Sequence, residues 1–198
     1  MSHLDDAGAD HGTDDGEADR RAVLAIRNGD REAFGTLVER YQGRIFGLCR
    51  MMTRHPQGAE ELTQDAFVRA FTHLDRYDET RPFYPWLATI AVRLTQTWLR
   101  RRARHIEREG AELGPGQEPA AAANPLGDLL TGEESARLWS SVQALTSGER
   151  TAVYLHYRQD MKLADVAKAL GVTAGTVKTL LFRARRKLRE QVAQETSP

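Results

Sequence analysis

Apolar side chains recur at three- and four-residue spacing along most of this chain and show no strand-like alternation, so the pattern predicts an all-α protein. Phe34, Leu37, Val38, Tyr41, Ile45, Leu48 and Met52 define a long amphipathic helix with Asp30 as its N-cap. Val23 and Ile26 indicate a short helix before it, with Asn28-Gly29 as the break. His55-Pro56-Gln57-Gly58 closes the long helix. A second stripe, Leu62, Ala66, Phe67, Ala70, Phe71 and Leu74, sets a helix from about Ala59 to Arg76. Its other face carries Glu60, Glu61, Gln64 and Asp65. Tyr77 to Pro85 reads as a loop. Trp86, Leu87, Ile90, Ala91, Leu94 and Trp98 then mark a third helix, which runs into Arg100, Arg101, Arg102, Arg104 and Arg108.

Residues 109–126 hold Gly110, Gly114, Pro115, Gly116, Pro119, an alanine run and Asn124-Pro125, the composition of a linker. The expected organisation is two small helical domains, 20–108 and 127–192, joined by that flexible linker. In the second domain Leu138, Trp139, Val142 and Leu145 mark one helix. Thr146 with Glu149 makes a capping box for the next, which carries Val153, Tyr154 and Tyr157. From Leu163 to Arg189 two apolar-patterned segments meet at Gly171, and the second turns basic, the pattern of a helix-turn-helix. Val166, Ala167 and Leu170 line the first helix, and small Ala167 lets the second cross close by. Gly171 supplies a sharp stop, Val172 fills the corner, and Thr173 caps the second helix. Val177, Leu181 and Leu188 face inward. Thr176, Lys178, Thr179, Phe182, Arg183 and Arg186 are left for solvent or a duplex, where such groups neutralise phosphates and read base edges.

Net charge is zero, but seven acids and no base precede Arg20, which leaves +7 on the remainder. The folded part is therefore basic and suits a polyanionic partner. Residues 1–19 read as a disordered acidic tail. A tail that mimics DNA and covers the basic surfaces is the sharper alternative. Cys49 is the only cysteine, so no internal disulfide and no Cys-rich metal site are expected. No signal-peptide pattern and no stretch long enough for a bilayer occur, which points to the cytoplasm.

No phosphate-binding Gly-rich loop, HExxH or clustered His/Cys/Asp set is present, so no enzyme, cofactor or metal is expected. His55, His73, His105 and His156 are scattered and read as surface or packing residues. The arginines of the third helix share it with Trp86 and Trp98 and follow Tyr77, Phe83 and Tyr84. Basic groups beside aromatics suit single-stranded DNA, although core packing explains most of these aromatics individually.

Two blocks resemble the bacterial RNA polymerase sigma factors of the extracytoplasmic-function (ECF) group. Glu61 to Ala91, ELTQDAFVRAFTHLDRYDETRPFYPWLATIA, is similar to sigma region 2; Leu145 to Leu188, from LTSGERTAVYLHY through VTAGTVKTLLFRARRKL, is similar to region 4. With the helix from Asp30, the resemblance covers most of residues 20–192. It implies binding to core RNA polymerase through the β′ clamp helices and the β flap, and recognition of promoter DNA. By that resemblance Glu61, Gln64 and Asp65 contact the clamp. Tyr77, Phe83, Tyr84, Trp86, Arg93, Arg100, Arg101 and Arg102 serve the −10 element, and Thr176, Lys178, Thr179, Phe182, Arg183 and Arg186 the −35 element. Family members are commonly restrained by an anti-sigma protein, and a monomer is expected when the chain is free. The sequence departs from the family pattern at Arg93 (usually Asn), Thr97 (Asp or Asn), Leu180 (often Arg) and Lys162, where the usual serine cap is absent, a change worth ~1 kcal/mol.

Contact with both elements spans two helical turns of duplex, roughly 70 Å. A relaxed chain of about 18 residues averages only ~25 Å end to end and extends to roughly 60 Å. The linker is thus expected to be stretched on the polymerase and not in the free protein. A helix-turn-helix regulator that dimerises on a palindrome is the rival reading, and a decoy that binds polymerase without melting promoters is a third.

Overall fold

The structure, a computed structural model, describes residues 11–109, 142 and 145–195; side chains are described from 16 to 191 of that set, Glu107 and Glu109 excepted. Seven α-helices and no strand occur among these residues. An N-terminal group comprises α1 (His11–Arg27), α2 (Phe34–Thr53), α3 (Pro56–Thr72), a 3-10 turn (Leu74–Arg76) and α4 (Phe83–Glu109). A C-terminal group comprises α5 (Ser147–Val153), a π-helical turn (Tyr154–Arg158), α6 (Leu163–Leu170) and α7 (Ala174–Glu195). Residues 110–141, which hold nearly all of the expected linker and the helix expected around Leu138 and Trp139, lie outside the described residues.

The acidic N-terminal segment departs from expectation. It is helical from His11, and Asp19 is buried rather than solvated. The Asp19 carboxylate accepts from Arg40 at 2.5 Å and from the Tyr41 hydroxyl at 2.5 Å, which pins α1 to α2. Val23 is fully buried, with Ala22 and Ile26 packed beside it. One apolar face and one correctly placed acid thus order a segment on which Glu17, Arg20 and Arg21 are exposed.

Helix boundaries follow local chemistry. Asp30 accepts from the N–H groups of Glu32 and Ala33, as an N-cap would, one turn ahead of α2. α3 begins at Pro56 rather than near Ala59, because the His55 imidazole Nδ1 accepts from the Gly58 N–H at 3.0 Å and Pro56 suits a first turn that needs no donor. His55 is therefore a cap. A Cβ on Gly58 would sit 2.7 Å from the Trp98 ring, so that glycine lets α4 approach α3. α4 likewise begins at Phe83 and includes Pro85 in its first turn, so the loop ends at Pro82.

The Thr146–Glu149 capping box is present: Thr146 N–H donates to the Glu149 carboxylate at 2.9 Å, and Glu149 N–H donates to the Thr146 hydroxyl. Lys187 on α7 also donates to Glu149 at 2.7 Å. Burial alone would raise this carboxyl, but Lys187 and the Thr146 donors hold it below the usual carboxylate range. Since the native value lies below the unfolded one, the stability it contributes is complete above about pH 5 and is lost as pH falls through the native value. Glu149→Gln is expected to cost about 1–2 kcal/mol at pH 7 and to flatten the acid limb of a thermal-melt pH profile.

Candidate nucleic-acid interface

The helix-turn-helix forms as its spacing predicts. Val166 and Ala167 are buried on α6, and Gly171 ends that helix at φ 71° in the left-handed region. The Thr173 hydroxyl accepts from the Thr176 N–H at 3.1 Å and caps α7. Lys162 supplies no side-chain cap to α6. Val172 is exposed rather than filling the corner. On α7, Val177, Leu181 and Ala184 are buried and Leu188 is half-buried, while Thr176, Lys178, Thr179, Phe182, Arg183 and Arg186 are all exposed. Phe182 stands 60% exposed, a large apolar ring held out in water. The sequence thus separates a packing stripe from a cationic, aromatic-bearing face of the size a major groove accepts.

The loop before α4 is rigidly built. Arg27 of α1 donates to the carbonyls of Tyr77 at 2.6 Å and Leu74 at 3.3 Å and pairs with Glu79 at 2.9 Å. Asp78 accepts from the N–H and hydroxyl of Thr80, and the Tyr77 hydroxyl donates to the Arg81 carbonyl. The Thr80 bonds and Arg81 hold the Asp78 carboxyl below its usual range. Tyr77, Phe83 and Trp86 pack with ring centroids 5.2–5.5 Å apart. Of the aromatics expected to meet bases, Tyr77, Phe83 and Tyr84 are instead core residues, and burial pushes the Tyr77 phenol up to about 12. Trp86 is half-buried. Hydrophobic burial outweighs exposure here because Phe83 and Tyr84 pack on Tyr41 of α2, and Tyr77 packs on Phe83 and Trp86. Arg93, Arg100 and Arg101 are exposed; Arg102 lies 5.3 Å over the Trp98 ring and is half-buried. At the departing position 97, the hydroxyl donates to the Arg93 carbonyl and accepts from Arg100.

Glu61, Gln64 and Asp65 are exposed together on α3, opposite buried Leu62, Thr63, Ala66 and Phe67. One turn on, Val68 is 65% exposed and Phe71 also reaches solvent, beside Phe34 and Val38 of α2 in an open apolar groove. The acids thus lie on α3, the −10 arginines on α4 and the −35 candidates on α7.

Sequence spacing gave no sign of how the two groups meet. α4 packs against α6, and α2 against α5. The hydrophobic core runs without a break from Tyr41, Leu48 and Leu87 to Tyr154, Leu155 and Val166. Arg44 donates from Nε to the Gln159 side-chain carbonyl at 2.7 Å, and its guanidinium lies 3.7 Å over the Tyr84 ring. A cavity of about 410 Å³ opens along the seam between Arg76, Arg81 and Trp86 on one side and Lys162, Asp165 and Lys168 on the other. Among the described residues no group of acids, histidines or cysteines could hold a metal ion, and no helix is long and apolar enough to cross a membrane.

Known proteins are similar to this chain over most of its length. Residues 37–105 match Sigma-70 region 2, and residues 135–188 match Sigma-70, region 4. The RNA polymerase sigma-H factor of Pseudomonas aeruginosa is 30% identical over 175 residues, spanning 85% of this chain and 91% of that one. The ECF RNA polymerase sigma factor SigW of Bacillus subtilis is 28% identical over 179 residues, spanning 87% and 96%. The solved structure of CnrH in complex with the cytosolic domain of CnrY aligns with a TM-score of 0.62 at 27% identity, covering 91% of this chain and 99% of that one. Matches to both sigma regions in this order, with relatives aligned over most of their length, mark the chain as a transcription initiation factor. The chain belongs to the sigma-70 family of RNA polymerase sigma factors, in the ECF group.

Proposed function

We propose that this chain binds core RNA polymerase and directs it to promoters through separate −10 and −35 contacts, without catalysing a reaction itself. The observation that carries this reading is α7: six candidate DNA-contacting side chains are exposed on a helix whose other face is buried. Thr176, Lys178, Thr179, Phe182, Arg183 and Arg186 enter the major groove of the −35 element. Arg93, Arg100, Arg101 and Arg102 countercharge the −10 strands, with Trp86 beside them. Tyr77, Phe83 and Tyr84 act there by shaping the loop. Residues 20–108 and 127–192 are the two working units. The protein acts in the cytoplasm, where the polymerase is, and a protein partner besides the polymerase is proposed because CnrH was solved with the cytosolic domain of CnrY.

Polymerase contact is assigned to Glu61, Gln64 and Asp65, whose exposure beside the Val68–Phe71 groove offers both charge and apolar area. Transcription in vitro with purified core polymerase on a genomic library tests the whole reading: discrete start sites that depend on the chain are expected. The charge-reversed variant Glu61→Lys with Asp65→Lys is expected to lose polymerase binding by about 100-fold, since reversing two interfacial charges costs several kcal/mol, while still binding −35 duplex as the parent does. A dimer that footprints a palindrome with no need of polymerase would refute the proposal.

A further inference from the structure

Helix α1 reaches the loop that precedes α4 and hydrogen-bonds to its backbone. Two arginines do this, and their spacing puts both on one face of the helix. Arg20 Nε donates to the Glu79 carbonyl at 3.3 Å. One terminal nitrogen of Arg27 donates to the carbonyls of Tyr77 at 2.6 Å and Leu74 at 3.3 Å, and the other donates to the Glu79 carboxylate at 2.9 Å. We infer that Arg27, assisted by Arg20, is a positioning residue for −10 recognition: it holds the loop in the shape that meets the opened strand. Helix α1 thereby takes part in promoter use, although it lies before the residues matched to Sigma-70 region 2. The inference rests on the functional reading above.

The ion pair with Glu79 is not what gives the contact its weight. The two side chains are 34% and 37% exposed, and a pair so open to water contributes little. The carbonyls matter more, because the bonds to them are partly buried and an acceptor that loses its donor there is costly. A planar guanidinium reaches all three acceptors at once, whereas an ammonium on a similar stem is a point donor.

The bonds inside the loop have a different effect. Asp78 with Thr80, and the Tyr77 hydroxyl with the Arg81 carbonyl, set the local shape of the turn. The arginines tie that turn to α1, which Asp19 and Val23 hold against the rest of the core. The groups the loop presents are placed as a result: Arg76, Arg81 and half-buried Trp86 line one cavity. A loop already ordered when the strand arrives spares binding the cost of ordering it. Apparent affinity then scales with the fraction of chains whose loop is competent.

Arg27→Met, which keeps the stem and loses the head, tests this in the full chain, with Arg27→Lys and Arg20→Met beside it. In the free protein, amide exchange over residues 74–82 should speed up in Arg27→Met, with α2 and α7 exchanging as in the parent. With core polymerase, the probe is a labelled single strand carrying the −10 element of a promoter found by the transcription assay. Its anisotropy should show about tenfold weaker binding for Arg27→Met, as follows when the competent fraction falls to about a tenth. Arg27→Lys and Arg20→Met should each lose about threefold. Binding of −35 duplex and of core polymerase should stay at the parent's level, which a general loss of structure would not allow. The slope of log affinity against log salt should not change. A flattening of about 0.7, with an equal loss on a scrambled strand, would make Arg27 a phosphate contact and overturn the positioning role. Unchanged loop exchange, or unchanged −10 binding, in folded Arg27→Met overturns it as well. If the loop loosens but the parent holoenzyme binds the −10 strand no better than the scrambled one, the functional reading is refuted, and the link from α1 to the promoter goes with it.

Discussion

Replacing Lys178 and Arg183 together by alanine is expected to lower affinity for −35 duplex by two to three orders of magnitude and to leave the fold and polymerase binding intact. Both side chains are exposed on α7, while the packing of that helix is carried by Val177, Leu181 and Ala184 on the opposite side. An arginine that pairs with a guanine edge discriminates by about 1–3 kcal/mol. A lysine on a phosphate adds a sequence-independent part, and losing one such contact flattens the slope of log affinity against log salt by about 0.9. The two substitutions separate in that measurement: Lys178→Ala should weaken all duplexes alike and flatten the slope, and Arg183→Ala should relax preference at one base pair. Fluorescence anisotropy at two salt concentrations, on the promoter sequence and on a scrambled one, reads both. Equal affinity of the parent and the double variant for the promoter duplex would remove α7 from DNA recognition.

How far the sequence carries depends on whether a feature is local. The α7 stripe, the Gly171 stop, the Thr173 cap and the Thr146–Glu149 box are set by residues within a turn or two of one another, and all are present as the spacing predicts. His55 shows where a local signal was misassigned: followed by Pro56 and Gly58, it stands where an N-cap would, and its ring accepts the bond that a serine or aspartate usually takes. The aromatics of the loop form a harder case. Tyr77, Phe83 and Tyr84 sit among basic residues in sequence, which suits unpaired bases, yet each is buried against other rings. Composition alone does not separate a stacking platform from a core, because both need the same π surfaces. The seam is non-local altogether. Arg44 and Gln159 have meaning only once residues 115 positions apart are brought together.

Asp19 is the residue whose weight the sequence concealed most, and Asp19→Ala is expected to destabilise the protein by about 2–4 kcal/mol. Removing one partner of a buried ion pair costs about 3–5 kcal/mol, because the other charge is left desolvated. The lower figure applies because Arg40 is 31% exposed and recovers some hydration, while the Asp19 side chain is only 4% exposed. Tyr41 adds to the loss: burial, and then the neighbouring carboxylate, hold its phenol above the ordinary value, so it remains a donor through neutral pH and would lose its acceptor. For a chain of this length the change corresponds to a fall of about 5–15 °C in Tm. Asp19→Asn should cost less than Asp19→Ala, since an amide oxygen still accepts from Tyr41. Arg40→Met should cost at least as much as Asp19→Asn, because it strands a carboxylate only 4% exposed, and it should make a subsequent Asp19→Asn neutral or stabilising, a coupling that a double-mutant cycle reads directly. If Asp19→Ala melts with the parent, the segment from His11 contributes nothing to the fold and α1 is a passenger on α2. If it melts early, the Asp19 carboxylate is a structural anchor that fixes α1 in place and, through Arg27 on the same helix, the loop that precedes α4.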